Sequence, residues 1–548
     1  MKIKASKIKQ LFVKQVFVVL LIVIIFVAAG CDGLFKRGEG DKIDETRTQL
    51  YIGNYDGGLG HEWLEIVAQR YEEKNKDIQI IINNEKDLFG DANLLANMPN
   101  YNNDVYFLNA ITYSNFVAQG RLAEITDVVN SKFENESLTI KEKMNPTLAD
   151  YYQTKDNKYF AIPFFDSIFG SVYDVDLFEE EGFYFNTNGK LICFDSSNTT
   201  LSAGPNGISG DFDDGLPATY SEWQYLVNEL KNSGITPYIW TGQYQYYRQR
   251  FLTAIWADHE GKENFDLNFS LTGEYTFKGD TTPTKINIEN AYLLQGQYGK
   301  EYALNYAEHI IKNRLYYSNS FNTTNSHTMA QQDFLLSATT NNRVAMILEG
   351  GWWENEAKSF FQVMEKKYGE EYGFGNRRFA YMAVPKSDDG SSAPGTTLIS
   401  STGNSVVCIN AKTSVLDIAK DFLKFVHSEE SLRTFTKLTG SVRPYKYTMT
   451  DDDFKDMSYY AKNMYELYNS PTTKISYITL YHHPALIEEV AYFGSSWWWK
   501  ATIQGSAYTE PFYEFSQDSG LTTEKYVQGL KTTYSKSGWD SRLSKYFK

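Results

Sequence analysis

Cysteine is scarce. The 548 residues hold three, at positions 31, 193 and 408, and no CxxC pair. That excludes a disulfide framework. One Cys193–Cys408 bridge stays open, although two inert thiols are the plainer reading. Histidine is nearly as sparse, with seven scattered residues. His482-His483 is followed by Glu488-Glu489, which is not a recognised metal-ligand spacing. There is no GxSxG, HExxH or P-loop, and no GxGxxG after a strand, so the commonest enzyme signatures are missing. No internal repeat is evident. Basic residues are the minority, 53 against 68 acidic. Five of the 53 are Lys2, Lys4, Lys7, Lys9 and Lys14, so the remaining chain carries 48 against 68, a net charge of −20. Such a surface argues against nucleic acid as a ligand.

The five leader lysines precede an almost unbroken apolar run, Val16 to Gly30. A membrane span needs roughly 20 residues, so this run is short. A basic flank, an apolar stretch and small residues are the layout of a secretory signal. Ala28-Ala29-Gly30 leads directly into Cys31, which resembles a bacterial lipobox whose cysteine is lipidated and becomes the new N-terminus. Leucine is usual at the position of Ala28. An ordinary signal peptide ending near a cysteine, or a short uncleaved anchor, are the alternatives. Two or more acyl chains on Cys31 would hold the protein on a membrane. The expected division is a signal peptide at 1–30, then Cys31 and a Gly-, Lys- and Asp-rich tether to 47.

More than 500 residues remain, too many for one core, so at least two domains follow. Leu50–Ile52, Ile78–Ile82 and Asp104–Leu108 read as strands. His61–Lys74 carries Leu64, Val67, Ala68 and Tyr71 on one helical face. Strand alternating with helix predicts an α/β lobe. Strands are also expected at Tyr159–Pro163, Ile168–Tyr173, Ile235–Trp240, Val344–Leu348, Phe379–Val384 and Ser405–Ile409. Helices are expected from Val175 to a stop at Gly182, at Tyr244–Trp256, Glu301–Lys312, Met329–Ser337, Trp353–Lys366 and Val415–Val426. Thr219-Tyr-Ser-Glu222 has the form of a capping box. Phe183–Pro217 reads as an insertion with one hairpin.

Several segments together resemble one family. They are Asp104-Val-Tyr-Phe-Leu108 with Gly120-Arg-Leu-Ala-Glu-Ile-Thr-Asp127, and Ala161-Ile-Pro163 with Tyr173-Asp174 and Asp176-Leu-Phe178. Pro217-Ala-Thr-Tyr-Ser-Glu-Trp223, Gly234-Ile-Thr-Pro-Tyr238 and Ala345-Met-Ile-Leu-Glu-Gly-Gly-Trp-Trp353 follow in order. Ala383-Val-Pro385, Ala419-Lys-Asp-Phe-Leu-Lys-Phe425 and Gly440-Ser-Val-Arg-Pro444 complete the series. These resemble the carbohydrate-binding branch of the ABC-transporter solute-binding proteins. The resemblance implies a type II periplasmic-binding-protein fold of two α/β lobes joined by a hinge, with a ligand cleft between them. One lobe is expected at 48–165 with 384–442, the other at 166–383 with 443–548. It also implies a monomer on the outer face of the membrane that captures a sugar and delivers it to permease subunits. No cofactor is implied.

A sugar ring needs an aromatic plate for its C–H face and planar polar groups for its hydroxyls. Among 41 Tyr, 35 Phe and 10 Trp, the resemblance singles out Trp352, at a strand-to-helix turn behind Glu349-Gly350-Gly351, with Trp353 expected in the core. Within Trp497-Trp498-Trp499, expected on a late helix, positions fan out by about 100° each, and the expectation falls on Trp498. Asp166 matches an acidic position after the first crossing strand. Asn54, Tyr55, Asn109, Trp240, Gln243, Glu349, Ser401, Asn404 and Arg443 are further candidates at strand ends and loops, where capping or turn chemistry is the plain alternative. Asn206, Asp211, Asp213 and Asp214 crowd oxygen ligands among glycines and could hold calcium, but lack the EF-hand pattern. A solvated acidic turn is the plainer reading. The rival classes are a secreted glycoside hydrolase, which needs only two carboxylates across a cleft, and a ligand-binding sensor on the same fold.

Overall fold

The computed structural model describes residues 43–84, 91–109, 111–193, 200–401, 405–478 and 498–546. Cys31 and Asn404 lie outside the described residues. Two compact units divide the chain. One is Met1–Gln49 with Lys76–Gln79, whose described part is a turn and the beginnings of two strands. The other is Leu50–Asn75 with Ile80–Lys548.

Two sheets organise the larger unit. The first runs in the order Ile78–Asn84, Thr48–Asn54, Val105–Leu108, Val406–Ile409, Ala161–Pro163. Thr48–Asn54 and Val105–Leu108 are parallel, and Val406–Ile409 is antiparallel to both its neighbours. Val105–Leu108 is buried at all four positions, as an apolar run covered on both faces should be. The helix Glu62–Lys74 lays Trp63, Leu64, Val67, Ala68 and Tyr71 into this lobe's core, which is the apolar face its spacing predicts.

The second sheet runs Phe379–Tyr381, Phe169–Asp174, Val344–Gly350, Thr236–Ile239. Val344–Gly350 is antiparallel to Phe169–Asp174 and parallel to Thr236–Ile239. Its seven residues are all buried. The helix Val175–Glu181 ends on Gly182, whose φ of 80° is the left-handed cap that only glycine takes without strain. Tyr184–Phe185 and Leu191–Ile192 form the expected hairpin. The capping box is half formed. Thr219 accepts from the Glu222 amide at 3.3 Å, but the Glu222 carboxylate turns to the Ala218 amide at 2.7 Å. Cys193 is exposed and Cys408 buried, and both are free. No described helix is long and apolar enough to cross a membrane.

One boundary falls later than expected. After Phe379–Tyr381 the chain stays with the second lobe. The Lys386 ammonium reaches Asp258 at 2.6 Å, and the Thr397 amide donates to Asp258 at 2.8 Å. Thr396–Ser400 then pairs in parallel with Thr473–Tyr477. The return to the first sheet comes after residue 400, not at Val384.

The chain therefore crosses between lobes near 163–168 and 400–405, and a third time only beyond Lys446. Pro444, Tyr445 and Lys446 still pair with residues 143–145 of the first lobe. The first two crossings are tied together. Ile168 bridges Ser400, and the Asp166 amide donates to the Val442 carbonyl at 2.9 Å. The Asp166 carboxylate accepts from Ser400 Oγ, from Tyr468 at 2.6 Å and from Tyr477 at 3.2 Å. Arg443, fully buried, donates to the Phe164 carbonyl at 2.7 Å and the Val426 carbonyl at 3.0 Å, and meets His427 Nε2 at 2.8 Å. Both residues were candidate sugar contacts. Both turn inward instead. Asp166 ties the first crossing to Ser400, Tyr468 and Tyr477, and Arg443 ties the Phe164 carbonyl to the end of the Leu416–Phe425 helix within the first lobe.

Replacing a fully hydrogen-bonded buried guanidinium strands its acceptors. Arg443→Met should lower unfolding free energy by about 3 kcal/mol, read as an earlier denaturant midpoint. A midpoint unchanged from wild type would remove Arg443 from this role.

Candidate functional site

The loops that follow the strands of both sheets converge on one cavity of about 490 Å³. The first lobe contributes Tyr55, Gly58 and Leu59, after the Thr48–Asn54 strand, and Asn109, after Val105–Leu108. The crossings add Phe165, Ser167 and Ser401. The second lobe brings Phe169, Tyr244, Tyr246, Tyr247, Arg250, His327, Trp352 and Glu356. Carboxyl ends of strands in open α/β sheets are where such crevices form.

Trp352 is half-buried and forms one wall. Phe169 stands edge-on to it at 5.1 Å and 86°, and Phe165 at 6.4 Å and 89°. A Cβ at Gly58 would run into Cδ1 of the indole, and one at Gly350 into its Cη2. The ring therefore rests on bare backbone from both lobes, and the Asn355 amide bonds the Gly58 carbonyl at 2.9 Å beside it. Trp353 turns the opposite way and is fully buried against Phe334, Phe379 and Tyr460.

The facing wall is tyrosine. Tyr246 stacks on Tyr247 at 4.6 Å and 28°. His327 lies parallel to Tyr247 at 6.3 Å, with Tyr244 5.5 Å from the imidazole. The Arg250 guanidinium sits 5.2 Å over the Phe169 ring. The polar edge is built around Glu356. Its carboxylate takes the His327 Nε2 contact at 3.2 Å and accepts from Gln331 Nε2 at 2.7 Å. Gln331 also donates to Glu349 at 3.1 Å. Burial, then the nearby Glu356 charge, push the Glu349 carboxyl well above its ordinary range. Glu349 thus stands one layer behind the cavity, accepting from the Gln331 amide that also orients Glu356.

Of the candidates, Trp352, Tyr55, Asn109 and Ser401 come together here. The others do not. Asn54 is fully buried, its amide on Asn84 at 2.9 Å. Trp240 packs in the core on Tyr316, Phe321 and Phe512. Gln243 is exposed and does not line the cavity. Trp498 is 2 % exposed, packed on Trp256 and Phe269 at 5.5 and 5.4 Å. Trp498 and Trp499 form a short helical turn just before the strand Ala501–Ile503. Asp166 holds the first crossing, Arg443 is buried in the first lobe against Phe164 and Val426, and Glu349 lies behind the site.

The calcium candidates lie together on the loop 206–214. The Asp213 carboxylate accepts from the Asn206 amide at 3.0 Å, Asp214 from the Gly210 amide at 2.7 Å, and Asp211 from the Asn206 side chain at 2.7 Å. These oxygens turn onto different loop donors, and no three described acidic, His or Cys side chains are grouped to hold an ion.

Tyr244, Tyr246, Tyr247, Arg250, His327 and Glu356 were missed. Their signal was present. Tyr244-Gln-Tyr-Tyr-Arg-Gln-Arg250 opens a helix just after the strand Thr236–Ile239, which is parallel to the strand that carries Trp352. Parallel strands end at the same edge, so both loops must face one crevice.

The model of the bacterial extracellular solute-binding protein family matches residues 67–461. The chain belongs to that family. This places the protein outside the cytoplasmic membrane. No curated protein matches it. Among solved structures, the apo form of RafE from Streptococcus pneumoniae is 14 % identical with a TM-score of 0.53, covering 91 % of this chain and all of that one. A protein described in xylan utilization by Caldanaerobius polysaccharolyticus gives 13 %, 0.54, 88 % and 99 %. Maltose-bound MalE3 of T. maritima gives 14 %, 0.52, 89 % and 99 %. At these identities the likeness is one of fold, and it is the two-lobed fold of extracellular solute-binding proteins.

Behind the Trp352 wall of this solute-binding protein, burial pushes the Glu354 carboxyl up to about 7, against a hydrogen bond from Ser458 at 2.5 Å and the charge of Lys358. Between about pH 4.5 and 7 the folded chain holds a proton that the unfolded chain has released. Stability therefore falls as pH rises through that window. Buried Glu260, also pushed to about 7, adds in the same direction. Glu354→Gln should flatten the fall of melting temperature from pH 4.5 to 7. A slope equal to wild type would contradict a protonated Glu354.

Proposed function

We propose that this chain is the ligand-capturing component of an ABC importer, and that its ligand is an oligosaccharide held in the cleft. The observation that carries this is the composition of the 490 Å³ cavity. Trp352 offers an apolar plate, and Tyr244, Tyr246 and Tyr247 offer rings with hydroxyl edges. Glu356, Arg250, Asn109 and His327 are spaced between them. Flat rings suit the C–H faces of sugars, and planar polar groups suit paired hydroxyls. Solutes in the descriptions of related structures fit the reading. RafE is described in complex with raffinose, MalE3 is described as maltose-bound, and a further neighbour is a chitin oligosaccharide binding protein.

Binding without chemistry is favoured by the carboxylates. A glycoside hydrolase needs two of them flanking one bond. Here Glu356 lines the cavity, while its neighbour Glu349 is buried behind it and tied to Gln331. Contributions from both lobes fit capture by hinge closure.

The test is a thermal-shift screen of the soluble chain from Gly33 on against mono- and oligosaccharides. A ligand that binds only the folded state raises the melting temperature by mass action. We expect a clear rise with one oligosaccharide class, and Trp352→Ala, folded, to weaken binding by about tenfold or more. A screen in which no sugar shifts the transition would sink the carbohydrate assignment.

We further propose that Cys31 is lipidated and tethers the protein to the outer face of the membrane. Two acyl chains on one residue suffice for stable attachment. Cys31→Ser should move the protein from the membrane fraction to the medium. Retention of the variant in the membrane fraction would instead point to an uncleaved anchor.

A further inference from the structure

The second lobe carries two more cavities that share no lining residue with the cleft. One encloses about 270 Å³ and the other about 600 Å³, with Lys278 and Tyr298 lining both. Together they make one groove. The hairpin of Gly273–Tyr275 and Thr284–Ile286 borders one side, and the helix Tyr298–Lys312 the other. Lys531 and Tyr534, from the end of the Thr523–Thr533 helix and just beyond it, bound the larger cavity.

The groove is built, not incidental. Tyr298 and Tyr302 stand edge to face at 4.9 Å. Their hydroxyls donate to Asp389 at 3.0 and 3.4 Å, and Ser391 donates its amide to the same carboxylate at 3.0 Å. The bonds from Ser391, with those from the tyrosines, hold Asp389 well below the usual carboxylate range. The Lys278 ammonium lies 3.8 Å over the Tyr298 ring.

His259 borders the smaller cavity and is 5 % exposed. Its ring stacks on Tyr302 at 4.4 Å and 21°, and Nδ1 bonds Ser392 Oγ. Burial pushes the imidazole down to about 3, so it is neutral. Nε2 is buried without a hydrogen-bond partner.

The chemistry selects the ligand class. Partly exposed Tyr298, Phe277 and Tyr292 line the groove beside a fixed carboxylate and the side chain of Asn264, with a neutral imidazole behind them. Lys278 and Lys531 line the groove together with Asp280, Asp389, Glu301 and buried Glu260, so charges of both signs are interspersed and a polyanion is not favoured. Two joined cavities suit successive residues of a chain better than one ring. We propose that this groove is a second carbohydrate-binding site, which holds a segment of neutral glycan chain apart from the cleft. Two sites on one molecule would engage a long glycan with more avidity than either alone. The groove stands on its own residues and does not depend on what the cleft binds.

The test is native affinity electrophoresis of the full chain in mild detergent. Gels would carry soluble amylopectin, xylan or galactomannan, and one control gel denatured casein. Wild type is compared with Trp352→Ala, Tyr298→Ala and Lys278→Ala, each shown to be folded by its melting transition. Lys278 is exposed, so its variant remains informative if Tyr298→Ala unfolds. We expect retardation in at least one glycan gel that survives Trp352→Ala and weakens about two- to tenfold in each groove variant. Retardation in no glycan gel, or lost with Trp352→Ala and kept in both groove variants, would overturn the proposal. Retardation only by casein would overturn it too, in favour of a peptide. Loss of cleft binding would show in the Trp352→Ala arm alone, so the two readings fail separately.

Discussion

Everything in the cleft depends on how three crossings of the chain are fastened. Asp166 accepts from Ser400, Tyr468 and Tyr477, which come from three later stretches of chain. Arg443 anchors the approach to the first crossing from within the first lobe, donating to Phe164 and Val426 carbonyls. Neither charge reaches solvent. A buried charge satisfied on every side is costly to disturb and holds one geometry. It lets two lobes that each own a sheet present their loops to one cavity.

The wall of that cavity repeats the theme on a smaller scale. The Trp352 indole lies against Gly58 from one lobe and Gly350 from its own strand. Two glycines give the ring its room, and Phe169 and Phe165 hold its edges. Behind it, Gln331 bridges Glu349 and Glu356. The carboxylate that lines the cavity is thus placed by a buried one behind it. The site is rigid where rings stack and polar where its edges meet the cavity.

Local pattern carried much of the fold. The apolar face of Glu62–Lys74, the glycine at 182 and the buried run Val344–Gly350 are properties of neighbouring residues, and they read directly. Pairings over distance did not. Thr396–Ser400 meets Thr473–Tyr477 across some seventy residues, and nothing local marks it, so the lobe boundary was placed too early. The site divided the same way. Trp352 was legible because glycines and a strand end frame it. Asp166 and Arg443 were misassigned because a polar residue at a strand end serves internal hydrogen bonding as readily as a ligand. Trp240 and Trp498 looked like plates, yet large rings fill large cores. The tyrosine run at 244–247 became meaningful only once its strand was known to be parallel to the one before Trp352.

The central claim is that a sugar ring lies face-on against Trp352 between the two lobes. Saturation-transfer difference NMR reads that contact directly, using the soluble chain and the oligosaccharide that stabilises it most. We expect saturation concentrated on the C–H protons of one ring face and lost in Trp352→Ala. Transfer spread evenly over the sugar, or unchanged by the substitution, would contradict it.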